Sequence, residues 1–370
     1  MSSINVVGAG LSGLSFAIKA RLGGESVTIF DKSARPILSS GLSSNVISVN
    51  KRSAKFLKSI GALDELEDSS KTSFQEIVIT DSDGVGRVSF SSKAIQEDRL
   101  GLIIESEALK QAMLKLAQSL DIKIFWQYPF TSDLLKCDLL VAADGPNSAA
   151  RQALGIKTLR YSYDQSANVC VVEATRPTNG TAFQWFGKEG PLALLPLSYR
   201  GKFAVVWSTT QDFGLQPEDY FEKKLNVRTR EKLGKLKMRT KRFCFPLQQK
   251  HALKYVKDGV ALIGDSAHTI HPLAGQGGNL GFADAEILAK EISMAKIEGL
   301  GVRHQNILKR YEKSRRLEAF MFGLTMEAFH RGYGSRNSGI QLVRSLGMNH
   351  VQENDHFKRL AILIASGGFL

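Results

Sequence analysis

Residues 4–31 read INVVGAGLSGLSFAIKARLGGESVTIFD, and this stretch decides the fold. A short apolar run from Ile4 to Val7 leads into a glycine-rich turn. A helix-like segment, residues 11–21, follows the turn, and a second apolar run ends at Asp31. This order is typical of a βαβ unit with two parallel strands. We therefore predict an α/β fold that opens on a Rossmann-like unit.

The glycine turn, residues 8–13, reads GAGLSG. Its glycines would let the backbone approach a pyrophosphate at the helix N-terminus, and an acid at the end of the second strand can bind ribose hydroxyls. The alternative is an ordinary tight turn. The strand, the helix and the acid are all in place, which favours a dinucleotide site. Its predicted contacts are Gly8, Gly10, Leu11, Ser12, Gly13, Asp31 and Lys32.

Length and composition are those of a globular protein, since 370 residues with 43% hydrophobic and 23% charged side chains can form a sizeable core. The three cysteines form no CxxC pair, which argues against a disulfide framework or a zinc site. No signal-peptide pattern begins the chain, and no uncharged apolar run approaches about 18 residues. We therefore expect a cytoplasmic protein.

The formal net charge of +13 is the one compositional extreme. Lys and Arg are spread along the chain, and the densest stretch, residues 223–242, lacks the aromatic interleaving expected of a nucleic-acid surface. We predict no nucleic-acid partner. An anionic cofactor, an anionic membrane surface and a plain solvated basic face all remain open.

A second motif, residues 137–148, reads CDLLVAADGPNS. Its apolar strand would carry Asp144 and Gly145 to the carboxyl edge of a sheet, where α/β proteins bind ligands. By itself, a strand ending in Asp-Gly is usually only a turn.

The third motif, residues 264–281, reads GDSAHTIHPLAGQGGNLG. Asp265 could accept a hydrogen bond from a cofactor hydroxyl, and amides of residues 275–279 could face developing negative charge. So many glycines lower stability, which favours close approach of a ligand as their reason. The histidines His268 and His271 lack a metal-ligand set, so we predict no metal. A role for one of them in acid–base chemistry and a structural role both remain open.

Together the three motifs resemble those of the class A flavoprotein monooxygenases over about residues 4–290. In that family the first motif binds the adenosine and pyrophosphate of FAD, the second is shared between FAD and NAD(P)H, and the third contacts the ribitol. The resemblance implies FAD as cofactor, NAD(P)H as reductant and O2 as cosubstrate. It extends the expected cofactor contacts to Asp144, Gly145, Gly264, Asp265, Gly277, Gly278 and Asn279.

The implied architecture is a Rossmann-like FAD-binding domain with an inserted, mostly antiparallel β-sheet substrate domain and a helical C-terminus. Short apolar runs broken by Gly, Pro or Ser between Val169 and Phe245 favour the inserted sheet. The expected boundaries are residues 1–70, 96–160 and 255–330 for the FAD-binding domain, 71–95 and 161–254 for the substrate domain, and 331–370 for the C-terminal segment.

Within the family, residues 264–272 most resemble the ubiquinone-biosynthesis hydroxylases. The resemblance implies hydroxylation of a polyprenyl phenol or another aromatic small molecule through a flavin C4a-hydroperoxide. The catalytic residues it points to are His271, Pro272, Gly275, Gln276 and Gly277. One or two of the aromatic residues Trp185, Phe186, Trp207 and Phe243 are expected to line the substrate pocket.

Two other functions remain open. One is a class A monooxygenase acting on a soluble aromatic, and the other is a non-catalytic flavoprotein subunit of a multi-enzyme complex. The C-terminal stretch, residues 357–365, joins basic residues to a short apolar run. It is predicted either to pack as a final helix or to make peripheral contact with the inner face of the cell membrane.

Overall fold

The computed structural model of the chain describes residues 2–37, 43–270, 277–334 and 337–367. The strands are β1 Ser3–Val7, β2 Ser26–Phe30, β3 Val46–Asn50, β4 Lys71–Phe74, β5 Glu76–Asp81, β6 Arg87–Ser91, β7 Gly101–Glu105, β8 Lys123–Phe125, β9 Leu139–Ala142, β10 Thr158–Ala174, β11 Thr181–Phe186, β12 Leu192–Pro196, β13 Lys202–Thr210, β14 Leu236–Met238, β15 Phe243–Ala252, β16 Val256–Lys257, β17 Val260–Leu262 and β18 His268–Thr269. The helices are α1 Leu11–Leu22, α2 Lys51–Ser59, α3 Ser106–Ser119, α4 Ala149–Ala153, α5 Gln211–Gly214, α6 Glu218–Leu233, α7 Gly277–Ile297, α8 Gln305–Gly334, α9 Ser338–Glu353 and α10 Asp355–Ala365.

The first sheet confirms the predicted βαβ opening. Its strand order is β16-β17-β9-β1-β2-β8, and β1 pairs in parallel with both β2 and β9. Helix α1 is buried along most of its length and packs against α3 and α7. The strands are short and apolar on both faces, as parallel strands covered by helices are. This arrangement brings the ends of β1, β9 and β17 to one edge, where all three motifs begin.

The second sheet confirms a mostly antiparallel insert, in the order β18-β15-β10-β13-β12-β11-β5-β6 with β14 beside β10. The exception is β11, which runs parallel to β5. Strand β10 is longer than predicted and has an irregularity between Ser162 and Ser166 where it pairs with β15.

Helix α6 was not predicted, although it begins inside the substrate domain just before the densest basic stretch. Its buried side chains are few and recur every four residues. Because most of the other side chains are charged or polar, the sequence does not show a clear apolar pattern at helical spacing. They are Phe221, Leu225, Thr229 and Leu233. They cover one face of the second sheet.

A third sheet, in the order β3-β7-β4, was also missed. It divides the segment 71–95, because β4 joins this small sheet whereas β5 and β6 join the large one. The domain boundaries given above stay a prediction. Helix α2 ends at Ser59, and the chain turns at Gly61, which has φ +79°.

The C-terminal helix α10 packs on the body of the protein through Ile362, which is buried. Its side chains Leu360, Leu363 and Ile364 remain exposed. Among the described helices, none combines the length and apolar character needed to cross a membrane.

Candidate active site

The glycine turn of the first motif is shaped by close backbone contacts. Gly8 has φ +108°, and a Cβ there would collide with the carbonyl of Ala143 at the end of β9. A Cβ on Gly13 would collide with the carbonyl of Gly8. At Gly10, in contrast, a Cβ would meet no protein atom within 4 Å. Gly8 and Gly13 therefore serve packing, whereas Gly10 leaves open space above the N-terminus of α1, where a pyrophosphate would bind.

Asp31 lies over this turn. Its Oδ2 accepts a hydrogen bond from the Ala9 amide at 2.6 Å, and its Oδ1 accepts one from the Ser33 amide at 2.7 Å. Each carboxylate oxygen can accept a second bond, so the acid can still take a ribose hydroxyl. The neighbouring Lys32 is exposed.

In the second motif, one carboxylate oxygen of Asp144 caps helix α4. Its Oδ2 accepts hydrogen bonds from the amides of Ala149 at 2.8 Å and Ala150 at 3.3 Å. Its Oδ1 is buried and has no partner among the described residues. A buried acceptor without a donor is costly unless a ligand satisfies it. Beside it, Gly145 has φ +84° and open space at its Cβ position.

The third motif begins where β17 ends. Gly264 has φ +59°, and a Cβ at this position or at Gly281 would collide with Ser12. The two glycines thus let α1, α7 and the Gly-Asp turn meet closely. The Asp265 side chain is exposed to the cleft, yet the dense protein around it raises the pKa of its carboxyl by desolvation. It has no side-chain hydrogen bond within the described residues, which leaves it available to a cofactor hydroxyl.

Arg151 ties the second and third motifs together. Its buried guanidinium donates hydrogen bonds to the carbonyl oxygens of Ser266 at 2.7 Å and Pro146 at 2.9 Å. The Ser266 hydroxyl in turn donates to the carbonyl oxygen of Ala142 at 2.6 Å. In the sequence, Arg151 lies three residues beyond Ser148, the last residue of the second motif. The structure makes it the link that fixes the spacing of the two motifs.

Positive charge is concentrated beside the second motif. The buried side chain of Lys250 donates a hydrogen bond from Nζ to Oδ1 of Asn147 at 2.8 Å. Desolvation, and then the charges of Arg160 and Arg151, lower the pKa of Lys250. Within the described parts of the chain it has no ion pair with a carboxylate, so this corner of the site favours anionic ligands.

His268 belongs to a buried network beneath the third motif. Its Nε2 lies 2.6 Å from Oδ2 of Asp284, and that same oxygen accepts a hydrogen bond from the Gly264 amide at 2.8 Å. Arg315 binds the other oxygen of Asp284 at 2.7 Å and also pairs with Glu318. Burial alone would raise the pKa of Asp284, but His268 and Arg315 lower it. The geometry supports the structural role considered for His268, which positions the Gly-Asp turn.

The predicted catalytic residues His271, Pro272, Gly275 and Gln276 lie outside the described residues. Gly277, Gly278 and Asn279 form the first turn of α7. The Asn279 side chain joins that turn to β3, since its Oδ1 accepts a hydrogen bond from the Asn50 amide at 3.0 Å and its Nδ2 donates to the carbonyl oxygen of Ser48 at 2.7 Å.

A cavity of about 170 Å³ lies between this first turn of α7, the small sheet, α10 and the face of the large sheet formed by β5, β6, β11 and β12. Its aromatic side chains are Phe74, Phe90 and Phe183. Trp185, Phe186, Trp207 and Phe243 are not among the residues that line this cavity, and the expectation that one or two of them line the substrate pocket stays a prediction. The two tryptophans pack in the core beneath α6, Phe186 stacks on Tyr333, and Phe243 is exposed.

These features fit FAD. Space opens at Gly10 and Gly145, Asp144 offers a buried acceptor, and Asp265 has a carboxylate free to bind a hydroxyl. The first motif would hold the pyrophosphate and the third the ribitol. The first turn of α7 would then adjoin both the cofactor and the cavity.

Comparisons with known proteins agree with this geometry. A family model described as "FAD binding domain" matches residues 130–321, and one described as "NAD(P)-binding Rossmann-like domain" matches residues 6–44. The chain is 27% identical to the 3-demethoxyubiquinol 3-hydroxylase of Escherichia coli K12, over 99% of this chain and 98% of that protein. It is 28% identical to the mitochondrial ubiquinone biosynthesis monooxygenase COQ6 of Danio rerio, over 88% of this chain and 80% of that protein.

Among solved structures, the p-nitrophenol 4-monooxygenase PnpA of Pseudomonas putida DLL-E4 has the same fold. The TM-score is 0.79 at 18% identity, with 100% of this chain and 99% of that chain covered. This likeness concerns the fold alone. Because the FAD-binding model matches just over half of the chain, the chain belongs to the FAD-binding domain family. Together with the monooxygenase and hydroxylase relatives, this identifies it as an FAD-dependent monooxygenase.

Proposed function

We propose that this monooxygenase hydroxylates the aromatic ring of a polyprenylated phenol in ubiquinone biosynthesis, with NAD(P)H as reductant and O2 as cosubstrate. The observation that carries the proposal is the apolar cavity that adjoins the first turn of α7. The relatives named above are ubiquinone-biosynthesis enzymes, and they align along almost the whole chain.

Bound FAD supplies the redox chemistry that activates oxygen, which a protein side chain cannot do. The chain's own residues bind and orient. The N-terminus of α1 holds the pyrophosphate, and Asp144 and Asp265 accept hydroxyl hydrogens. The cavity wall of Phe74, Phe90 and Ile362 keeps water away from the reacting ring, which protects a reactive intermediate from wasteful decay.

The C-terminal helix supports a membrane source for the substrate. Ile362 lines the cavity, while Leu360, Leu363 and Ile364 on the same helix are exposed. Exposed apolar side chains on an amphipathic helix can insert into a lipid surface, and the excess of basic residues favours an anionic one. We therefore place the protein in the cytoplasm with α10 in peripheral contact with the inner face of the cell membrane.

The test is turnover of the purified holoenzyme with a polyprenyl phenol in anionic vesicles, with the product identified by mass spectrometry. We expect NAD(P)H consumption matched by a product that has gained one oxygen atom. Faster turnover of short soluble phenols would favour the soluble-aromatic alternative. Failure of NAD(P)H to reduce the flavin, followed by stopped flow, would favour a non-catalytic subunit. In the host, deletion of the gene should remove ubiquinone and accumulate one polyprenylated precursor.

A further inference from the structure

We propose that Gln184 orients the substrate by hydrogen bonding its phenolic oxygen, in a cavity that accepts only an uncharged ring. The inference rests on the proposed function and adds to it the residue that selects the substrate. Nothing in the motifs points to this position, since Gln184 lies in a short strand of the inserted sheet.

Gln184 lies in the centre of the cavity-facing surface of the large sheet. In β11 it is opposite Ala193 of β12 on one side and Ile79 of β5 on the other. All three residues line the cavity. The Gln184 side chain is therefore flanked by apolar neighbours that offer no hydrogen-bond partner.

The Gln184 amide has no hydrogen bond within the described residues, although the residue is only 7% exposed. Its polar atoms are not sealed in the protein, so the space they reach is the cavity. An amide in such a place loses most of its hydration and gains no partner in return, which is unfavourable. A substrate oxygen would supply that partner.

The other two amides around the cavity, those of Asn279 and Asn50, are engaged in full or in part. Asn279 bridges to β3 through both its oxygen and its nitrogen. Asn50 caps α2, because its Oδ1 accepts a hydrogen bond from the Ser53 amide at 2.9 Å. Ser48 is only half-buried and can bind water. Among the described lining residues, Gln184 is thus the amide of which neither the oxygen nor the nitrogen has a hydrogen-bond partner.

The cavity walls also define the charge of the ligand. Among the described lining residues there is no Lys, Arg, His, Asp or Glu. An ionised carboxylate placed there would lose its hydration without gaining a counter-charge, which is strongly unfavourable. Aromatic acids are therefore excluded, and a neutral phenol is accepted. The volume suits one ring, since an apolar cavity of about 150 Å³ can bind benzene.

Glutamine suits a phenol because its amide both accepts and donates. The Oε1 atom can accept the phenolic hydrogen, and Nε2 can donate to an adjacent ring oxygen. Fixing these oxygens at β11 determines which ring carbons face the first turn of α7. Gln184 is in this sense a positioning residue.

The experiment compares a short 2-methoxy-6-alkylphenol with the matching ring that lacks the hydroxyl, by titrating the FAD absorbance of the holoenzyme. In the wild type, we expect loss of the hydroxyl to weaken binding about five- to tenfold. In Gln184→Met, which keeps the length of the side chain, the two ligands should bind equally. The control Gln118→Met makes the same change at an exposed position of α3, away from the cavity, and should keep the wild-type ratio.

Three results would overturn the inference. The first is equal binding of both ligands by the wild type, a measurement that does not depend on the folding of any variant. The second is a wild-type ratio in Gln184→Met. The third is binding of ionised 4-hydroxybenzoate as tightly as the neutral phenol. Because these are binding measurements, the proposed function can fail in turnover assays while the role of Gln184 stands, and the reverse also holds.

Discussion

Arg151 donates a hydrogen bond from Nη1 to the carbonyl oxygen of Ser266 over 2.7 Å, and these residues are 115 positions apart in the chain. The bond joins the second cofactor motif to the third. Since a second bond reaches Pro146, one buried side chain determines the distance between Asp144 and Asp265, the two acids that are expected to contact FAD.

Replacing Arg151 with methionine should weaken both the fold and FAD binding. The buried carbonyl oxygen of Ser266 and the partly buried one of Pro146 would lose their donor, which should lower the free energy of unfolding by about 2–4 kcal/mol. Chemical denaturation and the FAD content of the purified protein measure the two effects. As a control, Arg160→Met should change stability by less than about 0.5 kcal/mol, because Arg160 is exposed and Thr158 is its one side-chain hydrogen-bond partner among the described residues. Unchanged stability of the Arg151 variant would contradict the linking role.

Gly10→Ala should separate cofactor binding from folding. The new methyl group meets no protein atom within 4 Å, and φ at Gly10 is an ordinary −79°. The apo-protein should therefore keep its melting temperature, while FAD affinity falls roughly tenfold or more because the methyl group occupies the pyrophosphate space. The matched variant Gly13→Ala should lower both, since its Cβ collides with Gly8. A Gly10 variant that binds FAD normally would remove the first motif from the site.

Asp265→Asn should weaken FAD binding by about ten- to a hundredfold through loss of a charge-assisted hydrogen bond. The apo-protein should be at least as stable as the wild type at pH 7. Desolvation raises the pKa of Asp265, so the folded protein binds this proton more tightly than the unfolded chain does, and stability falls as pH rises above about 3.9.

The stability advantage of Asp265→Asn should therefore disappear below about pH 4, where both states carry the proton. Thermal melts of apo- and holo-protein between pH 4 and pH 7 measure this. Asp284→Asn is the contrasting variant, because Asp284 is buried and bound by His268 and Arg315, and it should destabilise the apo-protein. Equal destabilisation of the apo-protein by both variants would make Asp265 a structural residue.

The double variant Leu360→Gln, Leu363→Gln should lower turnover of long-tailed phenols in vesicles but not of short phenols in solution. Both side chains are exposed on α10, whereas Ile362 lines the cavity and is left intact. Vesicle flotation should show weaker lipid binding. Leu215→Gln serves as control, because Leu215 is 82% exposed elsewhere on the protein. Equal loss on both substrates would indicate that α10 acts through packing alone.

The sequence by itself determined the cofactor site and the outline of the fold. A pyrophosphate site needs a strand, a close turn and a helix N-terminus in succession, and residues 4–31 contain all three. The Asp-Gly and Gly-Asp motifs are equally local. The positions predicted for β1, α1, β2 and β9 accordingly lie within one or two residues of the observed ones.

Only the tertiary structure decided which distant residues complete the site. The small sheet pairs β7 with both β3 and β4. These strands are separated in the chain by helices and other strands, so no local sequence pattern predicts their pairing. Gln184 looks like one polar residue in an aromatic strand until β5 and β12 place apolar side chains on both sides of it. Arg151 and Asp284 likewise acquire roles from partners far along the chain. Periodicity reports which face of an element is apolar, whereas the pairing of elements determines what that face meets.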